Sequence, residues 1–307
     1  MKSSFPNLHP IKLKGSGTFG YVYEIVDKDT GDHYAIKRTR KADLKIGREY
    51  QNLIQLQNCP RIVKMINVFY SEDKEKKIIQ NIVMELLSKS LDSYIEDYRA
   101  KSSHIPIKFI KKIFKQFLEG LSYMHERNIC HIDLKPNNIF IDQLHNVKIA
   151  DFGCSKMLKE KNNKNITNNC LRYYRPPEIV FGHSDYSLEI DIFSSGCILA
   201  EMFLNFPLFY AKNEENVIFE QIAVLGFPKK KCRDFLFKHL DSDLKSDLNH
   251  FINVKPIDLL SLFSDYTGNE NLVNAVDLMK KMLKWDPKKR ISAKKALIHP
   301  FFNESSK

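Results

Sequence analysis

Residues 131–138 read HIDLKPNN. Asp133, Lys135 and Asn138 crowd three chemically capable side chains between the apolar flanks YMHERNIC and IFID, and Ile132, just before them, neither donates a side-chain hydrogen bond nor carries charge. Asp and Asn in loops commonly cap backbone groups, so the flanking chain decides what this loop is for. Upstream, IKFIKKIFKQFLEGLSYMHERN places Ile110, Ile113, Phe114, Phe117, Leu118 and Leu121 at steps of mostly three and four, which predicts an amphipathic helix leading into the loop. Downstream, thirteen residues after Asn138, comes DFG, opening on Asp151.

The first 85 or so residues carry strand signals. YVYEIV, the turn-forming DKDTGD, HYAIKRT and later IIQNIVMEL predict a small antiparallel sheet, with a helix over LKIGREYQNLIQLQN on the spacing of Leu44, Tyr50, Leu53, Ile54 and Leu56. Between strand signals lies GSGTFGYV, comprising Gly15, Ser16, Gly17, Thr18, Phe19, Gly20 and Val22. Such glycines also serve ordinary hairpins. A strand rather than a helix follows, which disfavours a dinucleotide fold and favours a flap whose backbone N–H groups lie over phosphates. In YAIK, alternation puts Lys37 on the face of Ala35 and not of Ile36. Lys37 is either an exposed strand lysine or a phosphate ligand held by an acid, for which Glu49 is the candidate.

Composition bounds the rest. The 307 residues suit one large domain or two lobes, and 43% hydrophobic content supplies a core. Forty-eight Lys+Arg against 37 Asp+Glu give +11, scattered along the whole length as a solvated surface would have it. The six cysteines show no C-x-x-C pair and no zinc-site spacing, which fits a reducing compartment. MKSSFPNLHP lacks a signal-peptide core, and the most apolar run, CILAEMFLNFPLF, is broken by Glu201 and too short to span a bilayer. The expectation is a soluble cytoplasmic or nuclear protein with no membrane partner. EIDIFSSGCILAEMFL, apolar almost all round, predicts a buried helix, and NLVNAVDLMKKMLKWD an amphipathic one stopped by Pro287.

Taken in order, the Gly-rich stretch, YAIK, HIDLKPNN and DFG resemble the eukaryotic protein kinases over about residues 10–302. The resemblance implies an α+β, bilobal fold. A small antiparallel β-sheet N-lobe with one main helix (about 10–86) would join, through a hinge at about 85–89, a larger, mostly helical C-lobe (about 90–302). Residues 1–9 and 303–307 would be short tails. Asp133 would accept or orient a hydroxyl proton, Lys135 would neutralise the transferring phosphoryl, and Asn138 and Asp151 would supply hard oxygen ligands for Mg2+. Lys135, two after the aspartate, is the serine/threonine form. LRYYRPPEIVFG and DIFSSGCILAE point to the group holding cyclin-dependent, mitogen-activated and glycogen synthase kinases. C-x-R-Y-Y-R-x-P-E-x-x-F-G, VLGFP and the short Lys37–Glu49 interval are most similar to the glycogen synthase kinase (shaggy) branch.

That resemblance implies transfer of the γ-phosphate of ATP to Ser or Thr of protein substrates, by a monomer to which a scaffold protein is a further partner. Met84 would be the gatekeeper, Glu85 and Leu87 the hinge, and Val22, Ala35 and Phe140 the adenine sandwich. Lys14 stands before the first glycine, where an isoleucine is usual. Glu178 should pair with Arg290 as a structural ion pair. No aromatic-interleaved basic motif supports nucleic-acid binding.

Two departures stand out. Ile132 replaces the arginine that grips an anion in the activation segment, and Arg48, Ile132 and Lys156 lie closest to the family's three-cation pocket for a priming phosphate. Asn168 falls near the activating tyrosine. No tyrosine lies between Asp151 and Tyr173, and Thr167 is the one threonine in that interval. A loop without the phosphate needs no arginine to order it. The resulting expectation is activity independent of activation-segment phosphorylation.

Overall fold

The computed structural model describes residues 8–17, 20–42, 47–158, 172–184, 187–213, 216–266 and 268–303. In the N-terminal part, β1 (Leu8–Gly17), β2 (Gly20–Asp27), β3 (His33–Arg40), α1 (Arg48–Leu56), β4 (Met65–Glu72) and β5 (Ile78–Glu85) follow in order. The strands form one antiparallel sheet in the order β1-β2-β3-β5-β4. Alternation sorts the faces: Ile25, Ile36 and Val83 pack together on one side, and Lys37 is turned to the other. Strands β1 and β4 carry no strong sequence signal because both lie at sheet edges, and β4 buries none of its residues fully.

Helix α1 starts at Arg48, four residues after the predicted start; Gly47 precedes it with no side-chain cap, and residues 43–46 lie outside the described chain. Its buried face is Glu49, Asn52, Leu53 and Leu56, so Ile54, expected on that face, is 51% exposed. The helix thus turns a buried carboxylate and amide inward, and both have work in the site.

The C-terminal part opens with β6 (Lys89–Ser90), α2 (Leu91–Ala100) and the predicted helix, α3 (Ile107–Glu126), in which Ile110, Ile113, Phe114, Phe117, Leu118 and Leu121 are all buried. Four short strands, β7 (Ile129–Cys130), β8 (Ile139–Ile141), β9 (Val147–Ile149) and β10 (Lys156–Met157), then frame the loops. Helices α4 (Pro177–Val180), α5 (Glu189–Leu204), α6 (Asn216–Leu225), α7 (Lys230–Leu236), α8 (Ser242–Asn249), α9 (Glu270–Met282) and α10 (Ala293–Leu297) complete it. Helix α5 is buried continuously from Ile190 to Phe203, as its all-round apolar sequence requires.

Helix α9 ends at Met282, before the predicted stop at Asp286-Pro287. The Lys281 and Lys284 carbonyls accept instead from Ile291 N and Arg290 Nε, which pull the chain out of the helix. Among the described residues no helix is long and apolar enough to cross a membrane. Cys59, Cys130, Cys154, Cys197 and Cys232 are free thiols.

Candidate active site

HIDLKPNN connects β7 to β8 and is held from beneath by α5. The Asp191 carboxylate, 1% exposed, accepts from His131 N at 2.8 Å, from Ile132 N at 2.9 Å and from His125 Nε2 at 3.0 Å. Burial alone would raise its pKa; the His125 hydrogen bond and the neighbouring donors outweigh that and hold it below the ordinary value. This grip keeps Ile132 at φ 74°, a left-handed conformation costly for a β-branched residue. Asp133 follows, 5% exposed, between this clamped backbone and Lys135.

The Lys135 Nζ donates to Asp133 Oδ2 at 2.7 Å. Asn138, in a one-turn 3-10 segment opened by Pro136, donates its Nδ2 to the Asp133 carbonyl at 2.8 Å, which orients its side-chain oxygen. Asp133 Oδ1 is buried and, among the described residues, has no hydrogen-bond partner. A buried carboxylate oxygen left open beside an ammonium is an acceptor prepared for a donor from outside the chain.

Lys37 is 5% exposed, which decides between its two readings in favour of the buried one. Its ammonium donates to Glu49 Oε1 and Asp151 Oδ1, each at 2.7 Å. Burial disfavours the charge, but Glu49 and then Asp151 outweigh it and hold the lysine protonated above its ordinary range. Burial likewise works against the Asp151 carboxylate, and Lys37 more than offsets it, so the Asp151 pKa lies below normal. The same turn is tied to α1, since Asn52 Nδ2 donates to Ser155 Oγ at 2.9 Å and Ser155 Oγ to the Phe152 carbonyl at 2.7 Å. His131 Nε2 meets the Ala150 carbonyl at 3.0 Å. HIDLKPNN and DFG are thereby locked to each other.

Above these groups a cleft of about 620 Å³ separates the two parts of the chain. Lys14, Gly15, Ser16, Val22 and Ala35 form its roof side. Met84, Glu85 and Leu87 line the connection between the parts, with Phe140 below. Lys37, Glu49, Asn138 and Asp151 lie at its polar end. The Glu85 side chain points away to Lys64 N and Lys148 Nζ, and its own N–H donates to the Lys64 carbonyl at 3.0 Å.

Gly20, at φ 127°, closes the β1–β2 turn; a Cβ there would stand 2.0 Å from the Arg38 carbonyl. Thr18 and Phe19 lie outside the described residues, and for Gly17 only its place at the end of β1 is described. Lys14 pairs with Glu24 at 3.0 Å, so its stem covers the roof while its charge is held at the edge. Val63, Ser90, Asp92 and Ala150, which no motif marks, also line the cleft, as does Asn137 of HIDLKPNN. They arrive there through the loop before β4, the start of α2 and the neighbours of Asn138 and Asp151.

Of the three positions nearest the priming-phosphate pattern, Arg48 is exposed, lining a groove with Met157; Lys156 is buried; and Ile132 is half-buried. Asn168, Thr167 and the Asp185-Tyr186 pair fall outside the described residues. The expected Glu178–Arg290 pair is present and bidentate, with N–O distances of 2.7 and 2.6 Å.

Comparison with known proteins agrees with this geometry. The protein kinase domain profile matches residues 8–302. A probable serine/threonine-protein kinase of Dictyostelium discoideum, glkA, is 35% identical over 305 residues, covering 98% of this chain and 60% of its own length. Protein kinase gsk3 of Schizosaccharomyces pombe is 32% identical over 295 residues, covering 95% of this chain and 73% of its own. A lysine paired to a helix carboxylate, a loop clamped by its backbone just before its aspartate, and an amide and a carboxylate lining one cleft thus stand in a chain matched almost end to end, and the chain belongs to the protein kinase domain family.

Proposed function

We propose that this chain transfers the γ-phosphate of ATP to serine and threonine hydroxyls of protein substrates, as a glycogen synthase kinase-like enzyme. The observation that carries the reading is Asp133: one carboxylate oxygen is bonded to Lys135 and the other is buried and open. A substrate hydroxyl donating to Oδ1 would give up its proton there as its oxygen attacks the γ-phosphorus, while the bond from that phosphorus to the β,γ-bridging oxygen breaks and ADP leaves. Lys135 neutralises charge on the phosphoryl in flight, and Lys37, fixed by Glu49, holds the phosphates that stay behind. The backbone of 85–87 and the apolar surfaces of Val22, Ala35 and Phe140 suit an adenine ring.

Asn138 and Asp151 fit Mg2+. They are hard oxygen donors on one cleft wall, and the commitment of Asn138 Nδ2 to the Asp133 carbonyl presents its oxygen. When bound, the ion would neutralise phosphate charge. Asp151 now spends an oxygen on Lys37, so the lysine is the group that must yield or share it.

The test is Mg2+-dependent transfer of label from ATP to a generic basic protein, with Asp133→Asn as control. Transfer absent in the wild type and no different in the variant overturns the reading. Protein substrates, a scaffold partner, a monomeric state and a place in cytosol or nucleus belong to the same proposal. Ile132, with no charge for an activation-segment phosphate, supports phosphorylation-independent activity. Phosphatase-treated protein is therefore expected to keep its activity within about twofold, and a large gain on phosphorylating Thr167 would contradict this.

A further inference from the structure

The Lys37–Glu49 pair is only as well placed as α1, which carries the glutamate. That helix is nine residues long, starts after Gly47 without a side-chain cap, and turns Ile54, 51% exposed, over an open groove of about 390 Å³. A helix this short is marginal on its own, so its place depends on what its inner face meets. Leu53 and Leu56 are fully buried there, but apolar burial is non-directional and sets no register. Asn52 adds direction.

Asn52, 4% exposed, stands three residues after Glu49 on the same helix face, and Ser155, 2% exposed, stands four residues after Asp151. Asn52 Nδ2 donates to Ser155 Oγ at 2.9 Å, and Ser155 Oγ donates in turn to the Phe152 carbonyl at 2.7 Å. The segment that receives α1 is itself fixed at both ends. On one side Asp151, at φ 59°, accepts from Lys37 and from Gly153 N. On the other, Lys156 and Met157 of β10 pair with Cys130 and Ile129, directly before HIDLKPNN. Phe152 is wholly buried, its ring centre 5.0 Å from that of His131. Moving α1 outward would leave a buried amide without its acceptor, a penalty that apolar packing alone does not impose.

We propose that Asn52 and Ser155 are positioning residues that hold Glu49, Lys37 and Asp151 assembled with no phosphate on the activation segment. The proposal rests on the kinase reading above and gives its phosphorylation-independent activity a physical cause. Ile132 offers no charge through which such a phosphate could act on the catalytic loop, whereas the Asn52–Ser155 bond joins α1 to the DFG turn from within the core. Neither residue lines the nucleotide cleft, so any effect on transfer passes through the groups that they hold.

The experiment compares phosphatase-treated wild type with Asn52→Leu, Ser155→Ala and the double variant. It measures kcat and KM for ATP well below the melting range, thermal melts, and amide hydrogen exchange across residues 48–56. Each single substitution is expected to lower kcat about tenfold, because losing one hydrogen bond from the competent arrangement shifts its population by about that factor. KM for ATP should move less than about twofold, since the surfaces that receive adenine are untouched. Exchange in α1 should rise while that in α3 and α5 stays as in the wild type. The two residues act as one unit, so the double variant should fall no further than the worse single one.

If Asn52→Leu fails to fold, Ser155→Ala, which removes only one oxygen, decides. An unchanged kcat in folded single variants, whatever their melting temperature, overturns the proposal, and so do losses that multiply in the double variant. Wild type that loses its activity on phosphatase treatment overturns it as well. Wild type that transfers no phosphate before or after treatment sinks the kinase reading instead; α1 exchange then judges the tie alone, and no rise in the variants overturns it.

Discussion

Asp133→Asn is expected to lower phosphate transfer by about three orders of magnitude at saturating ATP, the middle of what a positioned general base contributes. Asparagine keeps the shape and an oxygen for Lys135, but it cannot take the hydroxyl proton. The fold should lose little, because Asp191 clamps the backbone at His131 and Ile132 and not at the Asp133 side chain. Initial rates with labelled ATP, alongside thermal melts, check both halves; a fall under tenfold would remove Asp133 from the chemistry.

Lys37→Met should abolish transfer as thoroughly, with a different stability signature. Glu49, 9% exposed, would be left buried without its cation, and burial already acts to raise its pKa. A carboxyl raised in the folded state binds more protons there than in the unfolded chain, so stability falls as pH rises through the interval between the two values. The variant should therefore lose stability relative to wild type as pH rises above the ordinary glutamate value. A pH-independent difference in urea midpoints would show that Glu49 finds another partner.

The largest stability effect is expected at Glu178. Its carboxylate takes two hydrogen bonds from Arg290, whose side chain is fully buried and which also donates to the Glu189 and Lys284 carbonyls and lies 5.0 Å from the Phe193 ring centre. Arg290 thus joins α4, the start of α5 and the turn after α9. Glu178→Ala leaves its guanidinium buried without a counter-charge, which costs about 3–5 kcal/mol. Urea unfolding monitored through Trp285 measures this, and a loss below about 1 kcal/mol would mean that Arg290 is satisfied by carbonyls alone. Well below the melting range the variant should still transfer phosphate, which separates it from Asp133→Asn.

Much of the site was legible because its parts are local. Asp133, Lys135 and Asn138 sit within six residues, and Lys37 had its face assigned by strand alternation. What local pattern left open was environment. Lys37 could equally have been a solvated strand lysine; only α1 and the Asp151 turn, both distant in the chain, bury and pair it. Ile54 was misplaced for the converse reason: helical spacing gives a face but not its width, and α1 spends its inner face on Glu49 and Asn52. Edge strands β1 and β4 escaped notice because strands packed on little core carry little apolar alternation.

HIDLKPNN by itself determined which residues stand within reach of one another: an aspartate, a lysine and an asparagine in a short loop can meet in almost any fold. Tertiary structure alone decided what they are able to do. Asp191, about sixty residues away, holds Ile132 at a backbone angle that no propensity favours, and packing leaves Asp133 Oδ1 buried without a partner among the described residues. Charge, strain and burial depend on neighbours brought from afar, which is why the residues of this site could be read in the chain but their state could not.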